Sequence, residues 1–170
     1  MKLLPLLAII AAQAAAPSAQ AADIVLTMNS YGPVRVGMPV AEVHQQLLKL
    51  GRKQLPRPGK TSKAGCGYYQ ASSLLRFMTE DGKVVRIETR EPDVVTPSGI
   101  RVGSSLDRVR KAFGSRIEDS QQKDSHDPND SSIVLVAGDR QSAIRVEGNQ
   151  VVSGIYVGAE HAIRGVEGCP

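Results

Sequence analysis

The chain has 170 residues, 21 Lys+Arg against 17 Asp+Glu, two cysteines, no Trp and 4% aromatics. That length admits one compact domain or two very small ones and excludes a large multidomain enzyme. The basic excess is too modest to mark a nucleic-acid binder.

Lys2 precedes an apolar run over residues 3–10, and a small-residue stretch ends in Ala19, Gln20, Ala21 and Ala22. A charged start, a short apolar centre and an Ala-x-Ala site predict a signal peptide over residues 1–22, cleaved after Ala21 or Ala22. The run is too short and too diluted by Ala and Gln to span a bilayer well. No cysteine follows it to carry a lipid. The expected product is a periplasmic or secreted protein with no membrane span after cleavage. Its roughly 148 residues can bury about two thirds of their unfolded surface without a metal or cofactor.

In an oxidising compartment Cys66 and Cys169 are an even pair, and a disulfide between them is the default reading. Two separately buried thiols are the alternative. Neither cysteine has a second ligand at metal spacing, so no zinc site is expected. Cys169 stands near the last residue given, so the bond would also tie down a segment that otherwise frays.

An internal duplication organises the rest. At an offset of 66 residues, Arg35, Val36, Gly37 and Val43 meet Arg101, Val102, Gly103 and Val109. In each copy an extended segment reaches a glycine and turns into a helix with an apolar stripe: Val40, Val43 and Leu47 in the first, Leu106, Val109 and Phe113 in the second. Pro39 suits a first helical turn, and Ser104 with Asp107 forms a capping-box-like pair. Gly51 and Gly114 are the stop signals.

Strands follow each helix. In the first copy residues 65–72, 74–79 and 83–90 read as extended, with Glu80, Asp81 and Gly82 as a hairpin turn. Alternation places Val85, Ile87 and Thr89 on one face and Val84, Arg86, Glu88 and Arg90 on the other, which is expected to be wet. In the second copy residues 132–137, 143–147 and 150–157 repeat the theme, with Gly148 and Asn149 at the turn and Gly154 as a candidate bulge. Residues 52–64 and 118–131 are polar and predicted to be mobile loops; residues 91–98, with Pro92 and Pro97, form a stiff joint. The expected architecture is α+β: a signal peptide (1–22) and two tandem repeats, 23–95 and 96–170, each a helix followed by an antiparallel β-meander.

Four stretches, residues 31–38, 65–69, 96–103 and 166–169, together resemble a group of small exported bacterial proteins of uncharacterised function. The resemblance covers nearly all of the exported chain, and that group's motif carries a cysteine at both positions. The Val-Gly helix start followed by a sheet is also similar to the small outer-membrane assembly lipoproteins of the SmpA/OmlA type. The tandem arrangement resembles the secreted β-lactamase inhibitor protein. Those relatives are binding modules, so the resemblance implies protein recognition rather than catalysis. The lipid-bearing cysteine of the lipoproteins is absent, and no inhibitor contact residue matches a position here.

The richest polar cluster is Asp124, His126, Asp127, Asn129 and Asp130. Its oxygen donors suggest calcium, and His126 beside Asp127 and Asp130 suggests a general base. The spacing is not that of an EF-hand, and a solvated loop is the simpler account. His44 reads as a surface or half-buried helix residue and His161 as exposed. No Gly-x-Ser-x-Gly elbow and no phosphate-binding glycine loop is present. Tyr68 and Tyr69 point to opposite faces of a strand, leaving one for the surface, and Arg76, Arg86, Arg90 and Arg145 are candidates for a basic sheet face. The expectation is a non-enzymatic module without cofactor that binds an envelope or secreted protein through Tyr69, Arg76, Arg86, Arg90 and Arg145. The alternative is a small envelope hydrolase or metal-dependent enzyme using His126, Asp127 and Asp130.

Overall fold

A computed structural model describes residues 24–52, 57–61, 65–122, 130–137, 141–165 and 168–169; in strand segments 57–61, 119–122 and 130–131 the description is of the backbone. The predicted signal peptide and His126 and Asp127 lie outside the described residues. The fold is α+β with mostly β content, built from two sheets and a few short helices.

The small sheet contains β1 (Ile24–Thr27), β2 (Ser30–Tyr31), β3 (Val34–Arg35) and β8 (Val94–Val95) in the order β3-β2-β1-β8, with β1 and β8 parallel. The segment expected to be a stiff joint therefore supplies a strand, because Val94 and Val95 find partners in Ile24 and Val25. The large sheet is antiparallel, in the order β4-β5-β6-β7-β12-β11-β10-β9. Its strands are β4 (Arg57–Thr61), β5 (Cys66–Gln70), β6 (Leu75–Glu80), β7 (Lys83–Thr89), β9 (Ile117–Gln122), β10 (Asp130–Val136), β11 (Ser142–Asn149) and β12 (Val151–Ala159). The two segments read as mobile loops thus contain its edge strands, β4 and β9. Their polar sequences, with Pro58 in β4, suit edges, where one side of the ladder has no partner to satisfy.

Helix α1 (Val40–Lys49) and helix α2 (Leu106–Phe113) carry the expected stripes, and Val43, Leu47, Val109 and Phe113 are all buried. Ser105, rather than Ser104, caps α2: its side chain accepts the Arg108 N–H, while the Ser104 hydroxyl accepts from Arg101 N. The two stripes pack with Leu26, Tyr31 and Val34 of the small sheet onto one face of the large sheet, where Phe77, Ile87, Leu135, Val146, Ile155 and Val157 are sealed.

Two departures from simple alternation set the other face. The β6–β7 hairpin closes on Asp81 and Gly82, both at positive φ, as its turn residues require. Beyond it Thr79 pairs with Val84 and Met78 with Arg86, which leaves Val85 as an extra residue. Val84 thereby joins Ile87 on the core face instead of Arg86 and Glu88. In the β11–β12 hairpin Glu147 pairs with Gly154 and Gly148 with Val152, which leaves Ser153, directly beside the candidate bulge Gly154, as the extra residue.

Helix α3 (Glu160–Arg164) and the segment after it fold back over that second face. Cys66 and Cys169 are joined by a disulfide that fixes the returning segment, with Cα atoms 5.4 Å apart. Cys66, Met78 and Ala162 form a small apolar cluster at the staple. Among the described residues no helix is long and apolar enough to cross a membrane.

Candidate functional site

Cross-strand register lines up one polar row on the second face. Gln70 pairs with Arg76, Arg76 with Glu88, Glu88 with Tyr156, Tyr156 with Arg145, and Arg145 with Val134. Directly opposed residues share a face, so side chains far apart in sequence meet in a line across the sheet. The neighbouring row contains Tyr68, Met78, Arg86, Gly158 and Ala143.

The charges in these rows are organised as pairs. Glu88 accepts from Arg86 Nε at 2.9 Å and from Arg76 Nε, while Arg86 also donates to the Tyr68 hydroxyl at 2.7 Å. Arg86 Nη1 donates to the Ala162 carbonyl at 2.5 Å and to the Gly165 carbonyl at 3.1 Å. Arg145 pairs with Glu147 at 2.7 Å and donates to the Ile163 carbonyl at 3.1 Å, its guanidinium carbon lying 4.5 Å from the centre of the Tyr156 ring. Tyr156 donates to Glu147 at 2.7 Å. Burial, reinforced by the Glu147 carboxylate, pushes the Tyr156 phenol above its ordinary pKa.

Most of this cluster is closed. Arg86, Glu88, Arg145 and Glu147 are at most 5% exposed, under α3 and the stapled segment. The expected wet face is therefore corrected at Arg86 and Arg145: the sequence pattern marks them as facing away from the core, but a further element covers them. Tyr69 is corrected as well. It pairs with Phe77, whose side chain is fully buried, and packs on the core face, so it does not share a face with Arg76. Tyr68 takes that place, with Arg76 stacked 4.7 Å from its ring centre.

What stays open is a cavity of about 140 Å³ lined by Gln70, Leu74, Arg76, Glu88, Arg90 and Tyr156. Arg90 and Gln70 are exposed, and the Arg76 side chain is 43% exposed. Gly154 makes the packing behind it possible: a Cβ there would lie 3.3 Å from the Tyr156 ring and 3.7 Å from the Arg90 stem. Of the five arginine and tyrosine candidates, the cavity brings together Arg76 and Arg90. Glu88 and Tyr156 escaped the sequence reading as site members.

Elsewhere, the third of the His126-loop candidates, Asp130, heads β10 opposite Asn149. His161 contacts Glu80 at 3.1 Å, and His44 is half-buried. Among the described residues no group of three or more His, Cys, Asp or Glu is gathered as metal ligands would be.

The class these features define is an α+β protein whose antiparallel eight-stranded sheet is covered on one side by two helices and a small sheet, and partly covered on the other. No family model matches the sequence, and no curated protein matches it. Two solved structures share the fold. The uncharacterized protein YfeY from Escherichia coli is 14% identical, with a TM-score of 0.54, 80% of this chain and 99% of that one being covered. An extracellular protein containing an SCP domain, from Bacillus anthracis str. Ames, is 14% identical with a TM-score of 0.50; 91% of this chain is covered but only 52% of that one, so this chain spans about half its length.

Proposed function

We propose that this protein is an exported, non-enzymatic binding module that recognises another envelope or secreted protein through the open part of its polar sheet face. One observation carries the reading. Arg76 and Arg90 stand exposed at a cavity on a rigid sheet, backed by carboxylates and a tyrosine that are buried behind them. Arginine and tyrosine with an exposed apolar neighbour, here Leu74, are the residue types that anchor protein interfaces.

Export is supported by the signal-peptide pattern and by the disulfide, since such bonds persist in oxidising compartments. One structural neighbour is described as extracellular, which agrees.

The duplication belongs to the same proposal, in which the two meanders are copies of one unit. Gly37 N donates to Val84 O and Gly103 N to Val152 O; Val40 N donates to Gly82 O and Leu106 N to Gln150 O. The same backbone contacts thus recur at the start of each helix, and β7 and β12 meet at the middle of the sheet. On this reading the chain is built like the tandem binding modules that its sequence resembles.

The test is affinity capture from the native envelope with the immobilised protein and with its Arg76→Glu/Arg90→Glu variant. A partner held by the first and lost by the second is expected. Substitutions at Arg86 or Arg145 are unsuitable, since they would break buried pairs and disturb the fold itself. No retained protein, or equal retention by both, would reject the surface.

A further inference from the structure

We infer that the cavity between Arg76 and Arg90 is a receptor for one carboxylate, the side chain of an aspartate or glutamate presented by the protein partner. This rests on the binding-module reading and adds the chemistry of what is bound.

Charge is the first argument. Arg76, Arg86, Arg90 and Arg145 gather on this face, and Glu88 and Glu147 are the carboxylates paired among them. Glu88 is shared by two guanidinium groups, and Glu147 serves Arg145 and the Tyr156 hydroxyl. Among the described residues the cluster therefore holds four guanidinium groups against two carboxylates. A partly desolvated site of that kind attracts an anion.

The second argument is the hydrogen-bond inventory. Arg76 meets Glu88 through Nε, and no bond from either of its terminal Nη groups to another described residue is seen. Stacking on Tyr68 restricts the guanidinium plane. A planar fork with its outer donors unused matches a carboxylate in geometry as well as charge. Arg90, just past the end of β7, lines the same cavity beside Tyr156.

Size decides between ligand classes. Pockets for whole metabolites run from roughly 300 Å³ upward, whereas this one offers about 140 Å³. It suits the end of a side chain with a water or two. Leu74, 42% exposed at the rim, offers a surface for the methylene groups that precede the carboxylate. A phosphate dianion fits less well, because Glu88 lines the cavity and repels a second negative charge.

The experiment follows the arginine Nε–H resonances of the labelled, exported protein by NMR. The titrants are a capped Gly-Glu-Gly tripeptide, propionate, inorganic phosphate, and sodium chloride at matched ionic strength. The Arg76 and Arg90 signals should move and saturate with the tripeptide and with propionate, at millimolar concentrations. The Arg76→Gln/Arg90→Gln variant, with its amide spectrum otherwise retained, should bind at least about tenfold more weakly. Saturation with phosphate alone, equal movement in chloride, or unchanged affinity in the variant would overturn the inference. Capture experiments separate the two readings. If the tripeptide saturates but no envelope protein is retained, the carboxylate site stands and the module reading fails. If a partner is retained by wild type and lost by the variant but the tripeptide does not saturate, the module reading stands and the carboxylate inference fails.

Discussion

The Tyr31 hydroxyl donates to a Glu91 carboxylate oxygen 2.6 Å away, and Arg52 closes the triangle with 2.6 Å to Glu91 and 2.8 Å to Tyr31. This contact ties the small sheet to the exit of β7 and to the end of α1. Burial, then the bond to Glu91 and its charge, hold the Tyr31 phenol far above its ordinary pKa, and Tyr156 is raised likewise beside Glu147. The folded state therefore keeps protons that the unfolded chain releases above pH ~10. The stabilisation is fully present below that pH and is lost as pH rises beyond it. Ultraviolet titration should show a phenol population that ionises only on alkaline unfolding, and Tyr31→Phe and Tyr156→Phe should each diminish it. Phenols that all titrate freely while the fold persists would contradict this.

Replacing both cysteines, as Cys66→Ala/Cys169→Ala, opens a link between residues 103 apart in sequence. Loop-closure entropy puts the loss at roughly 4–5 kcal/mol. Denaturant unfolding with and without reductant measures it. Hydrogen exchange should quicken first in α3, whose covering position the staple maintains, and least in β10 and β11.

The two glycines Gly158 and Gly37 should answer differently to alanine. At Gly158 a Cβ would stand 2.2 Å from the Val85 carbonyl oxygen, which is backbone and cannot turn aside. About 3 kcal/mol of stability should go, with the β7–β12 junction disturbed. At Gly37, φ is +84° but nothing lies within 4 Å, so only the backbone conformation is penalised, by about 1 kcal/mol. Denaturation midpoints of the two variants test the order, and equal losses would refute it.

Arg86 and Arg76 share Glu88 but should differ in effect. Arg86→Met removes a guanidinium that is 2% exposed and should destabilise by about 3 kcal/mol, by leaving Glu88 with Arg76 as its remaining partner and three acceptors unpaired. Arg86→Met with Glu88→Leu should recover much of that loss. Arg76→Gln, at a half-exposed position, should change stability by less than about 1 kcal/mol. A double-mutant cycle supplies the coupling.

Helices α1 and α2 and the strands β5–β7 and β10–β12 were legible because their signals are local: apolar residues at helical spacing, and an Asp-Gly turn between alternating runs. The disulfide followed from compartment and cysteine number. Strand β3 falls in the extended segment read before Gly37, but β1, β2 and β8 were not legible, being two to four residues long, with β1 and β8 paired across most of the first half of the chain. Edge strands β4 and β9 read as loops because nothing apolar repeats in them. The site was half visible. Arg76 and Arg90 were singled out, but the extra residue Val85 and the cover supplied by α3 decide which arginines see water, and both are tertiary facts. Tyr69 was favoured over Tyr68 because alternation alone does not say which face of a strand is the core.

The junction of β7 with β12 rests on four paired residues, Arg86 to Thr89 against Ile155 to Gly158. The strands on either side of it form meanders from near neighbours in sequence, which close quickly, whereas this junction must wait for a long loop to find its ends. Assembly of the molecule is thus expected to end at its middle, with Gly158 among the last positions to acquire its native surroundings. Substitutions there should act chiefly on the rate of unfolding, leaving the rate of folding nearly untouched.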